Sequence, residues 1–350
     1  MTPVRRAPAY RGIDYDTGTV YVPGADSRPD WSRALARAHI ASVRDDLAAN
    51  AVTAFGSHPE RLVAAAELAC EADLHVWVQP RLPDAGPSGT LEHLAAVARA
   101  VEPLRRAGGR IRLNVGCELS VFMRGLLPGA TFQTRARRLT WLWPALPVVH
   151  ARLNRFLTRA TDTARREFAG ELTYGAGSWE RVSWSRFDMI GLNHYLDRST
   201  ASTYTETVRR LRAAYDLPVL VTEFGCCAYV GADELGAEGD AAVDWHHPGG
   251  AVVREGHVRD EETQARYVRQ VHDLLVEAAV DGMFAFELTE PLLERHDDPR
   301  RDLDVASFGL VAVRRTGTPD GPSYREEPKR AFHALGERYR ADANGGPADA

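Results

Sequence analysis

Short runs rich in β-branched and aromatic residues recur eight times along the chain, most of them separated by segments of helical period. This alternation restricts the fold more than any other feature. The strand signals are YRGIDY (10 to 15), VTAF (52 to 55), LHVWVQP (74 to 80), IRLNVGCE (111 to 118), ELTYGA (171 to 176), FDMIGLNHY (187 to 195), PVLVTE (218 to 223) and GMFAFEL (282 to 288). Segments such as WSRALARAHIASVRDDLAANA and DEETQARYVRQVHDLLVEAAV place apolar residues every three or four positions, as a helix with one buried face requires. Strands alternating with helices predict a parallel sheet. A doubly wound sheet would carry a glycine-rich phosphate turn after its first strand, and GIDYDTG is not that motif. The expectation is an α/β protein built as one (β/α)8 barrel over residues 9 to 340, with an N-terminal extension at 1 to 8 and a disordered tail at 341 to 350. Its long loops, after strands four, seven and eight, would lie at the C-terminal rim, where barrels of this kind keep their active sites.

Composition narrows the function. With 44% apolar and 26% charged residues the chain has ample core, and a net charge of −5 spread along its length argues against nucleic acid or an anionic membrane as partner. No run approaches the roughly 18 apolar residues of a membrane span, and the basic N-terminus lacks the apolar stretch of a signal peptide. Four cysteines without framework spacing (Cys70, Cys117, Cys226, Cys227) predict a cytoplasmic, reduced protein. No metal or cofactor is expected, since the Cys226-Cys227 pair and the histidines at 246, 247 and 257 have no ligand spacing. The oligomeric state is left open.

Two acids stand out because each closes an apolar strand. Glu118 ends IRLNVGCE and Glu223 ends PVLVTE. Strand parity puts Asn114, Gly116 and Glu118 on one face, and Val219, Val221 and Glu223 on one face. If those faces point inward, two carboxyls meet above the core, an arrangement suited to glycoside hydrolysis.

On these residues the chain resembles the clan A glycoside hydrolases. VTEFG is similar to that clan's nucleophile strand and GLNHY to its strand six. The resemblance implies Glu223 as nucleophile, Glu118 as acid/base and Tyr195 as the tyrosine bonded to the nucleophile. TEFGCCAY and DPRRDLDVAS also resemble bacterial chains labelled abortive infection proteins. One departure is that Cys117 stands where the clan has an asparagine that contacts the sugar 2-hydroxyl; Asn193 is the candidate replacement. Asp14, Phe55, Gln79, Arg81 and Phe286 complete the expected substrate-binding rim. Gln79 and Arg81 would bind hydroxyls or a carboxylate, with Arg81 equally able to serve as counter-ion to a glutamate. Trp179 or Trp184 would supply a flat platform under the ring, unless they are buried structural residues.

Three readings follow: a cofactor-free retaining glycosidase acting on a small β-linked glycoside or oligosaccharide, a biosynthetic enzyme using the same two glutamates as acid and base on a non-sugar, and a non-catalytic binding or defence protein.

Overall fold

The structure, a computed structural model, describes residues 7–139, 141–316 and 324–345. Eight parallel strands close into a barrel. They are β1 (Tyr10–Asp16), β2 (Ala51–Gly56), β3 (His75–Pro80), β4 (Ile111–Cys117), β5 (Leu172–Ala176), β6 (Ile190–Asn193), β7 (Val219–Phe224) and β8 (Gly282–Ala285). Around them run α1 (Arg33–Asp45), α2 (Pro59–Glu71), α3 (Pro87–Arg106), a short α4 (Leu119–Phe122), α5 (Phe132–Leu139), α6 (Leu146–Glu167), α7 (Tyr204–Ala214), α8 (Glu261–Glu277) and α9 (Arg330–Gly345). Between β5 and β6 there is only a 3-10 turn, Trp184–Arg186. The expected tail is partly corrected: residues 341 to 345 continue α9, and 346 to 350 lie outside the described residues, as do 1 to 6 of the expected extension.

Residues of alternating parity sort into two cores. Ile13, Val52, Ala54, Val76, Val78, Leu113, Val219 and Val221 face outward and pack with helix residues such as Ile40, Leu62, Leu94 and Val271. Inside the barrel, Tyr10, Ala51, Trp77, Met189, Leu220 and Phe284 meet from strands on all sides. The rings of Tyr10 and Phe284 each lie 4.9 Å from that of Trp77, edge to face, an arrangement worth roughly 1 kcal/mol beyond area burial. Gly12 makes room for this plug, since a Cβ there would lie 2.2 Å from the Phe284 ring. Above the plug the lining turns polar, with buried Asp14, Thr53, Gln79, Asn114, Thr173 and Thr222, so the barrel is apolar at its N-terminal end and hydrophilic towards its mouth.

The loops after β7 and β8 cover part of that mouth and are tied together. Arg259 reaches Asp304 at 2.7 Å and Asp302 at 3.3 Å, and Lys329 reaches Asp304 at 3.3 Å. The charge-dense segment HDDPRRDLD is therefore salt-bridged into the body through its last aspartates. No helix of the described residues is long and apolar enough to cross a membrane.

Candidate active site

Both glutamates reach the mouth, by a different route from simple strand parity. Val219 and Val221 point out at the helices, so an unbroken β7 would have sent Glu223 there too. The pairing slips at this point: Leu192 faces Val221 but Asn193 faces Glu223, and on the other side Met283 faces Val221 while Ala285 faces Phe224. Such irregularities re-aim side chains at barrel rims. β4 slips likewise between Asn114 and Cys117. Directly after it, Glu118 leaves the strand and takes a left-handed conformation, φ 44° and ψ 43°, at the start of α4. A non-glycine residue there costs about 1 kcal/mol or more. The surrounding structure holds it: Glu118 N–H donates to Gly175 O (2.8 Å), Leu119 N–H to the Tyr174 hydroxyl (2.8 Å) and Ser120 N–H to Glu180 (3.0 Å). Past Glu223 the chain needs Gly225, because a Cβ would sit 2.4 Å from the Phe286 carbonyl oxygen.

The two carboxyls line one cavity of about 400 Å³ together with Tyr195, Arg81, Tyr21, Phe286, Phe308 and Trp245, among others. Glu223 is gripped by three donors. Arg81 Nη2 donates to Oε1 at 2.9 Å, the Cys117 thiol to the same oxygen at 3.2 Å, and the Tyr195 hydroxyl to Oε2 at 3.0 Å. Burial, with the charges of Glu223 and Glu118, keeps the Tyr195 hydroxyl well above its ordinary pKa and hence a donor. Glu118 accepts one bond, from the Asn193 amide at 2.9 Å. Burial first, then repulsion by Glu223, pushes its pKa up to about 8. At neutral pH one carboxyl of the pair is thus set to hold a proton while its neighbour is paired with a guanidinium, the division of labour that acid-assisted bond cleavage requires.

The remaining expected residues divide. Phe286 lines the cavity. Gln79, Phe55 and Asn193 act one layer below it, through other side chains. Gln79 Oε1 accepts from Arg81 Nε and Nη2 (3.1 and 2.7 Å), and Phe55 lies under the same guanidinium at 4.2 Å. Asn193 is occupied by Glu118, by Cys117 Sγ (3.2 Å) and by the Thr222 hydroxyl (2.8 Å), so its amide is not free to read a substrate hydroxyl. Asp14 is buried beside Thr53, and burial first, then the charge of Glu223, raises its pKa well above the ordinary carboxylate range.

Trp179 is placed elsewhere: its indole N–H donates to Ser120 (2.9 Å) and its ring packs with Val121, Leu127 and Val149. Trp184 is buried against Phe187. The tryptophan at the mouth is Trp245, which is 51% exposed and was not singled out in the sequence because it sits in a polar insertion without periodicity. Glu290 and Phe308 were missed for the same reason, since they come from loops, and Tyr21 comes from a short strand, Val20–Val22, outside the barrel; only the closed barrel decides what faces the cavity. Among the described residues, no group of three or more His, Cys, Asp or Glu is arranged to hold a metal ion.

Solved structures with this fold are known. A GH113 β-1,4-mannanase superposes with a TM-score of 0.61 at 13% identity, covering 96% of this chain and 99% of that one. The GH113 β-mannanase AaManA from Alicyclobacillus acidocaldarius, in complex with ManMIm, gives 0.58 at 16% identity, with 96% and 98% covered. A β-glucuronidase from an uncultured Clostridium sp. gives 0.54 at 15% identity, with 95% of this chain and 50% of that one. These likenesses define the class of fold, a (β/α)8 barrel. No protein-family profile matches the chain. In sequence, a segment is 33% identical over 108 residues to an aspartyl/glutamyl-tRNA(Asn/Gln) amidotransferase subunit of Methylobacterium nodulans, 30% of this chain and 22% of that protein. The corresponding amidotransferase subunit of a second Methylobacterium strain matches at 32% over the same length. The chain thus spans about a fifth of the length of the curated relatives it matches.

Proposed function

We propose that this chain is a retaining glycosidase acting on a small β-linked glycoside or oligosaccharide. The observation that carries the reading is the pairing in one cavity of a carboxyl raised to about 8 with a carboxylate held by Arg81 and Tyr195. In the first step Glu223 attacks the anomeric carbon as the bond to the leaving oxygen breaks, and that oxygen takes the proton of Glu118. Oε1 carries two donors, so Oε2, with the tyrosine alone, is the attacking atom. Once Glu223 is an ester its charge is gone, the repulsion that raised Glu118 vanishes, and Glu118 becomes a base. It then removes a proton from water, whose oxygen displaces Glu223 from the anomeric carbon. The neighbours' names, β-mannanase and β-glucuronidase, support a β-linked substrate.

The test is to trap the ester. A 2-deoxy-2-fluoro-β-mannosyl or β-glucosyl fluoride should add one sugar mass to the protein, on the peptide containing Glu223. Hydrolysis with inversion and no adduct would overturn the assignment. A second reading has its own observation: Cys117 bonds the nucleophile and Asn193 is occupied, so neither is available to a 2-hydroxyl. This favours acid/base chemistry on a non-sugar, in a cyclisation or elimination, and the same trapping experiment separates the two.

A further inference from the structure

The proposed catalytic pair occupies one side of the cavity. The other side, built largely by the loop after β8, carries more carboxyl groups than a neutral sugar calls for. Asp16, Glu287 and Glu290 line it, Asp240 adds a carboxyl from the loop after β7, and Arg81 is the one cation among the described residues lining the cavity. Arg81 is already engaged with Glu223, Gln79 and Tyr21.

The carboxyls on this side differ in how they are satisfied. Asp16 accepts from Gly18 N–H (2.9 Å), from the Thr19 hydroxyl (3.0 Å) and from Ser27. Glu290 accepts from the backbone N–H of Phe308 at 2.6 Å. Glu287 is 4% exposed, yet its Oε2 is buried with no hydrogen-bond partner. Burial first, then repulsion by Glu290 and Asp16, raises its pKa well above the ordinary carboxylate range, while Arg28 and Arg81 pull the other way. Neither arginine bonds it: Arg28 is turned to the Thr289 carbonyl and to His39.

A nearly buried carboxyl that lines the cavity with an oxygen that has no protein hydrogen-bond partner, beside two other carboxyls, is costly to ionise unless a ligand offsets its charge. A sugar hydroxyl would donate one hydrogen bond and bring no charge to offset ionisation of the crowded carboxyls. A primary ammonium brings three donors and the compensating charge. The apolar walls of Phe286, Phe308 and Leu292 would strengthen that charge pairing by excluding water.

We propose that the Glu287 side of the cavity is a subsite for a protonated primary amine, so that the substrate is an amino-substituted glycoside whose ammonium group lies against Glu287, reinforced by Glu290 and Asp16. The glycoside part of this statement rests on the function proposed above; the amine subsite does not.

Titration calorimetry on the full chain at pH 7 tests it without turnover. The probes are methyl β-D-mannopyranoside and methyl β-D-glucopyranoside, each beside its four monoamino-monodeoxy derivatives and their N-acetyl forms. At least one amine should bind about tenfold or more tighter than its hydroxyl parent, as a charge-assisted bond predicts, and N-acetylation should remove the gain. In Glu287→Gln, folded by circular dichroism, that amine should fall to within about threefold of the parent measured on the same variant. The proposal is overturned if no amine in wild type gains about tenfold, if the acetylated form keeps the gain, or if the gain survives Glu287→Gln. Should the variant not fold, failure of every amine to gain in wild type still overturns the proposal. Loss of the trapped Glu223 ester with the amine preference intact would sink the glycosidase reading and leave the subsite standing; the reverse result would do the opposite.

Discussion

The two ends of the barrel hold cavities of nearly equal size and opposite character. At the N-terminal end a surface cavity of about 410 Å³ is lined by His75, Arg105, Arg110, Arg112, Arg165, Glu171 and Asp188, among others. Its four arginines are each paired, with Glu102, Asp73, Glu171 and Asp188 respectively. Beneath them Arg112 lies over the rings of Trp77 and Tyr10 at 4.7 and 4.8 Å. At the mouth, one arginine faces six carboxyls, and Glu287 keeps a buried oxygen unpartnered. The difference separates the end that stabilises the barrel from the end that keeps polar groups in reserve, and unpartnered acid groups, rather than cavity volume, mark the latter.

If this contrast is sound, substitutions at the two ends should have opposite signatures. The largest effect is expected from Glu223→Gln, which should lower kcat on 4-nitrophenyl β-mannoside or β-glucoside by about 10⁴-fold or more per folded molecule, with the fold retained by circular dichroism. Retention of a tenth of the activity would break the comparison at its functional end. Trp77→Ala should do the reverse. Removing the centre of the aromatic plug should cost about 3 to 5 kcal/mol in urea unfolding and leave kcat per folded molecule within a few-fold. Arg81→Met should fall between, lowering kcat/KM about 10²-fold, because Glu223 loses its cation and stays buried.

The pH behaviour sharpens the contrast further. In the proposed mechanism Glu118 acts in its protonated form, so kcat/KM should fall as pH rises through about 8. Linkage gives the matching stability effect. The folded carboxyl holds its proton more tightly than the unfolded one at 4.5, so this stabilisation is complete below that value and lost as pH rises to about 8. Glu118 keeps some exposure to the cavity, so at pH 9 Glu118→Gln should exceed wild type in stability by only about 2 kcal/mol, with no such gain at pH 4. The smallest change is expected from Arg112→Met, roughly 1 kcal/mol of stability and no change in KM.

The eight strands, their order and the presence of an acid at the ends of the fourth and seventh could be read from residues 10 to 288, because apolar periodicity is a local property and the helices and strands of this chain follow it. Cys117, Tyr195 and Arg81 were legible as neighbours of those acids. Trp245, Glu290 and Phe308 were not, since loop residues carry no periodicity to say which way they face. Trp179 misled because a tryptophan near a strand end looks the same whether it lines a cavity or packs under a helix.

What the sequence determined by itself is the barrel: alternating strand and helix patterns leave few other ways to bury both faces of a parallel sheet. That Glu118 and Glu223 share one cavity was decided only in three dimensions. On simple alternation Glu223 belongs with Val219 and Val221 against the helices. The slipped pairings of β4 and β7 and the left-handed turn at Glu118 bring both acids to the mouth. Such irregularities depend on the register of neighbouring strands closing the barrel, a constraint no single segment contains.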